Sequence, residues 1–135
     1  LKGLESEDAV FDATRKVAKA LGVNSNNLYF TSGGTESNNT LIFGAVKKLN
    51  RYGKHIVTGA IEHPSVLEPI KELEKQGYEV DYIGVNSDGE LQVDELKEKL
   101  RKDTALVSIM WANNETGVIN PVEEIADIIK TRSAD

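Results

Sequence analysis

The sequence predicts an α/β protein with three layers (α/β/α), in which helices cover both faces of a mostly parallel sheet. Amphipathic helical segments alternate with short apolar segments along the whole chain, which is typical of βαβ units. One apolar run, residues 105–112, is nearly continuous, as expected of a strand buried on both faces. Polar loops lie between predicted strands and helices, at the sheet edge where such folds bind ligands.

The first part of the chain predicts two helices, each followed by a strand. Apolar positions recur at helical spacing in the first helix, which ends at Gly22, a residue favoured just after helices. The aromatic run at residues 28–30 predicts a short strand, and the β-rich run at residues 56–58 follows the second helix. The helix faces are Val10, Phe11, Thr14, Val17, Ala18 and Leu21, then Leu41, Ile42, Ala45, Val46 and Leu49.

The second part of the chain continues the alternation with three helices and two strands. Pro64 suits the first turn of a helix, and Gly77 ends that helix. Residues 86–89 have turn chemistry, and the last helix begins near Pro121. The apolar positions, in chain order, are Val66, Leu67, Ile70 and Leu73 (helix), Val80, Tyr82 and Ile83 (strand), Val93, Leu96 and Leu100 (helix), residues 105–112 (strand), and Val122, Ile125, Ile128 and Ile129 (helix).

Length and composition exclude several classes of function. The 135 residues suggest a single domain, residues 1–135, and a net charge of −6 argues against nucleic acid or anionic membrane as a partner. The absence of Cys removes disulfides, zinc thiolates and thiol nucleophiles, and two His make a metal site unexpected. No apolar run reaches about 18 residues and no signal peptide opens the chain, so a cytoplasmic location is expected.

The loop at residues 31–37 has two glycines where the second helix begins. Gly33 and Gly34 allow close approach of a ligand to the backbone, and a helix N-terminus favours an anion. The Thr35 hydroxyl adds a donor, so the loop suits a single phosphate. It lacks the Lys-Ser/Thr pair of a P-loop and the spacing of a dinucleotide fingerprint. The alternative is a plain turn in which Thr or Ser caps the helix.

A histidine marks the second loop, residues 59–65. The imidazole of His63 can act as acid or base near neutral pH, or can stack on a ring. The alternative is a surface or capping histidine. The other histidine, His55, opens a strand and is expected to be structural or solvated.

Two asparagines follow the apolar strand in the third loop, residues 112–117. Asn113 and Asn114 offer amide donors to an oxygen-rich ligand. The alternative is an Asx turn in which Gly117 supplies a positive φ. Trp111, just before this loop, is expected in the core.

Three ordered motifs together resemble the cysteine desulfurases, pyridoxal-phosphate enzymes of the class V aminotransferase group. The motifs are FTSGGTESNN at residues 30–39, EHPSVL at 62–67 and VSIMWANNETGV at 107–118, and residues 77–80 and 88–91 also look like the family. The resemblance covers essentially the whole chain and implies part of the large domain of a fold-type I pyridoxal-phosphate enzyme. It implies that Gly34, where many relatives carry Ala, and Thr35 bind the cofactor phosphate. It also implies that His63 is catalytic, stacking on the cofactor ring and moving protons, and that Asn114 bonds the ring oxygen.

The resemblance implies conversion of L-cysteine to L-alanine, with the sulfur passing to an enzyme cysteine as a persulfide. It further implies a homodimeric parent protein and a sulfur-acceptor protein that serves iron–sulfur cluster assembly. The family's Asp against the ring nitrogen, its Schiff-base Lys and its nucleophilic Cys have no counterpart in these 135 residues. The chain is therefore expected to be a central fragment that is inactive alone, cut where a further strand would follow residue 135. The alternatives are another class V enzyme (aminotransferase, lyase or epimerase) and a non-catalytic α/β binding module.

Overall fold

The computed structural model describes residues 2–132, in which helices and strands alternate as the sequence predicts, with one exception. The chain divides into two units, residues 1–32 and residues 33–135. The elements are α1 (Lys2–Leu21), a 3-10 turn (Ser25–Asn27), α2 (Gly34–Leu49), β1 (His55–Gly59), α3 (Pro64–Lys75), β2 (Glu79–Ile83), α4 (Val93–Lys99), β3 (Thr104–Ser108) and α5 (Val122–Arg132). The strand expected after residue 135 lies outside the described residues, and the assignment of residues 1–135 to one domain stays a prediction.

The first unit confirms the first helix and its end. Gly22 has φ +67°, which glycine adopts without steric cost, and its N–H donates to the Lys19 carbonyl at 3.3 Å. The N–H of Val23 donates to the Ala18 carbonyl at 3.0 Å. The apolar stripe of α1 is mostly exposed, with Phe11 57 % exposed.

The strand predicted at residues 28–30 is wrong. Leu28 has extended angles, φ −104° and ψ 126°, but these residues join no sheet among the described residues. An extended segment becomes a strand only when a neighbouring strand takes its N–H and C=O groups. The loop at residues 31–37 consequently follows irregular backbone instead of a strand.

In the second unit, β1 lies between two parallel partners in the order β2-β1-β3. All five residues of β1 are buried, as expected of a central strand. The predicted strand at residues 105–112 is shorter than expected, since β3 ends at Ser108, and its residues are only half-buried. The reason is that β3 pairs on one side alone among the described residues.

Two apolar cores on opposite faces of the sheet give the predicted three layers. Alternate side chains of a strand point to opposite faces. Ile56 accordingly packs in a core with residues of α2 and α3, whereas Val57 packs in another with residues of α4 and α5. The first core contains Ile42, Val46, Val66, Ile70 and Leu73, and the second contains Ile83, Leu91, Leu96, Leu100 and Ile125.

A buried polar network joins the three strands near their amino ends and shows that His55 is structural. His55 is 1 % exposed; its Nδ1 lies 2.8 Å from Thr104 Oγ1 and its Nε2 lies 3.1 Å from Asp81 Oδ2. Burial opposes ionisation of Asp81, but hydrogen bonds from Lys99 and His55 outweigh it and lower the pKa of this carboxyl. The network occupies the end of the sheet away from the predicted site.

Candidate active site

His63 forms the N-cap of α3, where the chain leaves β1. Its backbone is extended, with φ −61° and ψ 146°, and Pro64 occupies the first helical position. The Nδ1 atom accepts the backbone N–H of Ser65 at 3.0 Å, which satisfies one of the free donors of the first turn. The capping interpretation of His63 is thus confirmed, while the residue remains exposed and open to a ligand.

Asn113 shapes the loop that follows β3. Its side chain is buried, and its Oδ1 accepts the backbone N–H groups of Glu115 and Thr116, both at 2.9 Å. The N–H of Gly117, at φ +76°, donates to the Asn113 carbonyl at 2.9 Å. The Asx-turn interpretation is therefore confirmed for Asn113, and the turn leaves Asn114 exposed.

Two hydrogen bonds, both donated by the segment that follows β3, hold these two loops together; we call this pair of bonds the loop clamp. The buried carboxylate of Glu62 accepts the N–H of Met110 at 2.6 Å. The amide Nδ2 of Asn113 donates to the Ile61 carbonyl at 3.2 Å. The loop clamp fixes the distance between the loop that carries His63 and the loop after β3.

Glu62 is a buried acid against the end of β1. Burial raises the pKa of this carboxyl, and the hydrogen bond from Met110 only partly opposes the rise. A Cβ atom on Gly59 would lie 3.0 Å from the Glu62 Oε1, so glycine is the residue that leaves room for this carboxylate. Glu62 opens the motif at residues 62–67, but its structural role is not evident from the sequence, although a charged residue three positions after a buried strand is a usable signal.

His63 and Asn114 line the same cavity, of about 300 Å³. The structure thus brings together two of the four site residues that the sequence singled out. Gly34 and Thr35 do not line this cavity. The cavity wall consists of Ile61, Glu62, His63, Pro64, Asn113, Asn114, Glu115 and Thr116.

Gly34 and Thr35 are the first two residues of α2, as an anion site at a helix N-terminus requires. The N-cap is Gly33, which has no side chain, so the alternative of capping by a Thr or Ser side chain does not hold at that position. A Cβ on Gly33 or Gly34 would meet nothing within 4 Å, and neither glycine has a left-handed φ. The start of this helix therefore has open space beside its two glycines, and their backbone is not strained.

A hydrogen-bonded chain connects the start of α2 with His63. The Asn38 Nδ2 donates to the Ser65 Oγ at 2.8 Å, and that Oγ lies 2.8 Å from the His63 Nδ1. Asn38 is one helical turn beyond Gly34, so the two helix starts are tied to each other. Asn38 and Ser65 belong to the motifs at residues 30–39 and 62–67, but the sequence assigns neither a role, because their pairing spans 27 residues of sequence.

One further sequence expectation, a core position for Trp111, is wrong. Trp111 is 69 % exposed and does not belong to the core of the described residues. Between residues 2 and 132, no three His, Asp or Glu side chains gather in a way that would hold a metal ion. Over the same range, no helix is both long enough and apolar enough to cross a membrane.

A parallel sheet covered by helices on both faces, with helix starts and polar loops at the carboxyl ends of its strands, defines an α/β domain of the architecture that commonly binds ligands at this edge. Residues 2–134 match the model of the aminotransferase class-V family, and the chain belongs to this family.

Similar proteins carry more specific names. The chain is 50 % identical over 128 residues to a cysteine desulfurase IscS of Dictyoglomus turgidum, an alignment that covers 95 % of this chain and 32 % of the relative. Among solved structures, a NifS-like protein matches with a TM-score of 0.93 and 40 % identity over 98 % of this chain and 36 % of that one. A structure described as SspA in complex with cysteine matches with a TM-score of 0.88 and 33 % identity, over 96 % and 38 % of the two chains. The chain thus spans about a third of the length of these relatives.

Proposed function

We propose that this chain supplies part of the pyridoxal-phosphate site of a cysteine desulfurase. The observation that carries the proposal is that His63 and Asn114 line one cavity while a hydrogen-bonded chain ties His63 to the helix that begins at Gly34. The 50 % identity to a relative named cysteine desulfurase supports this choice among class V enzymes. The alternatives, another class V reaction or a non-catalytic module, have no observation in their favour.

The chemistry of the donors fits pyridoxal phosphate. The start of α2, with open space beside Gly34, suits a phosphate dianion, and the hydroxyl of Thr35 adds a neutral donor. The exposed imidazole of His63 suits the flat face of a pyridine ring, and the exposed amide of Asn114 suits the ring oxygen. These four residues are the ones we assign to the cofactor.

Each residue has a physical task in the proposed reaction. Pyridoxal phosphate, when bound, supplies an electron-accepting ring for reactions of amino acids. Gly34 and Thr35 anchor the phosphate, Asn114 orients the ring through its oxygen, and His63 holds the ring face and presents a nitrogen to the substrate. The loop clamp keeps the last two residues at a constant separation, which is what positional catalysis needs.

The proposed overall reaction is conversion of L-cysteine to L-alanine with transfer of sulfur to a cysteine of the enzyme. The relative whose structure is described as a complex with cysteine supports the substrate. This chain contains no Cys, so the sulfur-accepting thiol belongs to another part of the protein. A homodimer, a sulfur-acceptor protein, a role in iron–sulfur cluster assembly and a cytoplasmic location complete the proposal as predictions.

The test uses the full-length protein that contains this chain. Incubation with pyridoxal phosphate, L-cysteine and a thiol reductant is expected to release sulfide and alanine in equal amounts, whereas the 135-residue chain alone is expected to release none. Thr35→Ala is expected to weaken cofactor binding about 10- to 100-fold, because a hydrogen bond to a charged group is lost. Thr35→Ser, which keeps the hydroxyl, and Thr40→Ala, an exposed site on the same helix, are the controls. Cofactor affinity unchanged in Thr35→Ala would refute the phosphate assignment, and absence of alanine would refute the reaction.

A further inference from the structure

We propose that Ser65 and Asn38 are positioning residues that determine which ring nitrogen of His63 carries the proton. The inference concerns the state of the imidazole, which can be measured without any cofactor. Its catalytic meaning rests on the proposed function, because that function is what gives His63 a ligand to act on.

The first observation is a hydrogen bond from the backbone to the ring of His63. An amide N–H can only donate, so the contact between the N–H of Ser65 and the Nδ1 of His63, at 3.0 Å, makes Nδ1 the acceptor. A neutral imidazole has one donor nitrogen and one acceptor nitrogen. With Nδ1 accepting, the proton of neutral His63 lies on Nε2.

The second observation is a pair of contacts that the Ser65 hydroxyl makes with the side chains of Asn38 and His63. The Asn38 Nδ2 donates to the Ser65 Oγ at 2.8 Å, so the lone pair facing Asn38 is used and the hydroxyl proton is free to turn elsewhere. The Oγ atom lies 2.8 Å from the His63 Nδ1, and the hydroxyl proton is therefore directed to that nitrogen. Ser65 is 8 % exposed, which limits competition from water for the same bonds. The two hydrogen bonds are therefore donated in one direction: the Asn38 amide donates to the Ser65 hydroxyl, and the hydroxyl donates to Nδ1 of His63.

This direction of hydrogen-bond donation determines which ring nitrogen His63 presents to the cavity that it lines. Nδ1 is occupied by the cap and the hydroxyl, so Nε2 is the nitrogen left for a ligand, and in the neutral ring it offers an N–H donor. A histidine can act as an acid or as a base, and this arrangement favours the role in which Nε2 of His63 donates a hydrogen bond to the ligand. Because Asn38 belongs to α2, the helix assigned to the phosphate, the same side chains also align the ring with the anion site.

The experiment measures the tautomer of neutral His63 by NMR of protein labelled with ¹⁵N-histidine. It uses the full-length protein without cofactor, and a His63→Gln variant identifies the signals of this ring. We expect the unmodified protein to carry the proton on Nε2. Ser65→Ala removes the hydroxyl but keeps the backbone N–H, and is expected to raise the Nδ1–H population roughly 2- to 10-fold, as loss of one ordinary hydrogen bond would.

Matched variants distinguish the loss of the proposed hydrogen bonds from a general disturbance of the structure. Asn38→Asp cannot donate to Ser65 and instead accepts its hydroxyl proton, so it is expected to shift the tautomer as Ser65→Ala does. Asn39→Asp adds the same charge one position along, where the side chain contacts the Thr35 carbonyl of its own helix, and is expected to leave the tautomer unchanged. Ser65→Thr keeps a hydroxyl and is expected to restore the unmodified tautomer.

Two results would overturn the inference: a proton on Nδ1 in the unmodified protein, or a tautomer population that is the same in Ser65→Ala, Asn38→Asp and the unmodified protein. Cofactor binding gives an independent readout in the same samples. If pyridoxal phosphate fails to bind while the tautomer shifts as expected, the proposed function fails and the inference about the ring stands. If the cofactor binds, Ser65→Ala is expected to lower kcat more than it raises KM.

Discussion

Replacing Asn113 with alanine is expected to lower the free energy of unfolding by about 2–3 kcal/mol, whereas the same change at Asn114 is expected to leave it almost unchanged. The Asn113 side chain satisfies the N–H groups of Glu115 and Thr116 and donates to Ile61, so its removal leaves several backbone groups without partners. An unsatisfied, partly buried group costs about 1–3 kcal/mol, and water at the turn recovers part of it. Urea-induced unfolding of the two variants measures the difference.

Binding of pyridoxal phosphate, in contrast to stability, is expected to weaken in both alanine variants. Asn114→Ala removes a proposed ligand contact and weakens binding of pyridoxal phosphate in a protein of unchanged stability. Asn113→Ala weakens binding as well, because the turn that presents Asn114 loses its shape. Equal losses of stability in the two variants would show that Asn113 does not hold the turn.

Replacing Glu62 with alanine is the second large change, with an expected loss of about 2–3 kcal/mol in the free energy of unfolding. The carboxylate accepts the N–H of Met110 at 2.6 Å in a buried position, and the alanine variant leaves that N–H without its charged acceptor. Glu62→Gln keeps an acceptor oxygen of similar size and is expected to lose less. Denaturant midpoints of the two variants against the unmodified protein give the comparison, and an equal loss in both would contradict the role of the acceptor.

The raised pKa of Glu62 also predicts a pH dependence with a definite sign. In the window above the ordinary value of 4.5, the folded protein holds a proton that the unfolded chain has released. This contribution to stability is complete below pH 4.5 and is lost as the pH rises through the pKa of the folded state. Relative to the unmodified protein, Glu62→Gln is therefore expected to become more stable as the pH rises through this window.

Glu68 provides a control of opposite sign. The hydrogen bond from Lys71 lowers the pKa of the Glu68 carboxyl, so its contribution is present above 4.5 and is lost as the pH falls. Glu68→Gln is therefore expected to become less stable relative to the unmodified protein as the pH rises, by a small amount because the pair is exposed. If both variants changed in the same direction, the assignment of the pH dependence to burial of Glu62 would be wrong.

The sequence by itself determined the alternation of elements and the family. Helical spacing of apolar residues, the position of Pro64 and the positive-φ glycines at 22 and 77 are local properties, and the structure agrees with all of them. Local patterns singled out Gly34, Thr35, His63 and the pair of asparagines at 113 and 114, and the resemblance to the cysteine desulfurases selected Asn114 from that pair. Their roles toward a cofactor stay predictions.

Only the tertiary structure decided which elements are paired and which polar groups meet. Residues 28–30 have strand composition but no neighbour to pair with, and β3 is half-buried because it has a partner on one side alone within residues 2–132. The bonds that organise the site join residues far apart in sequence, 27 positions from Asn38 to Ser65 and 48 from Glu62 to Met110. Local propensity carries no information about such pairs, because a side chain's partner is set by how the strands and helices stack in space.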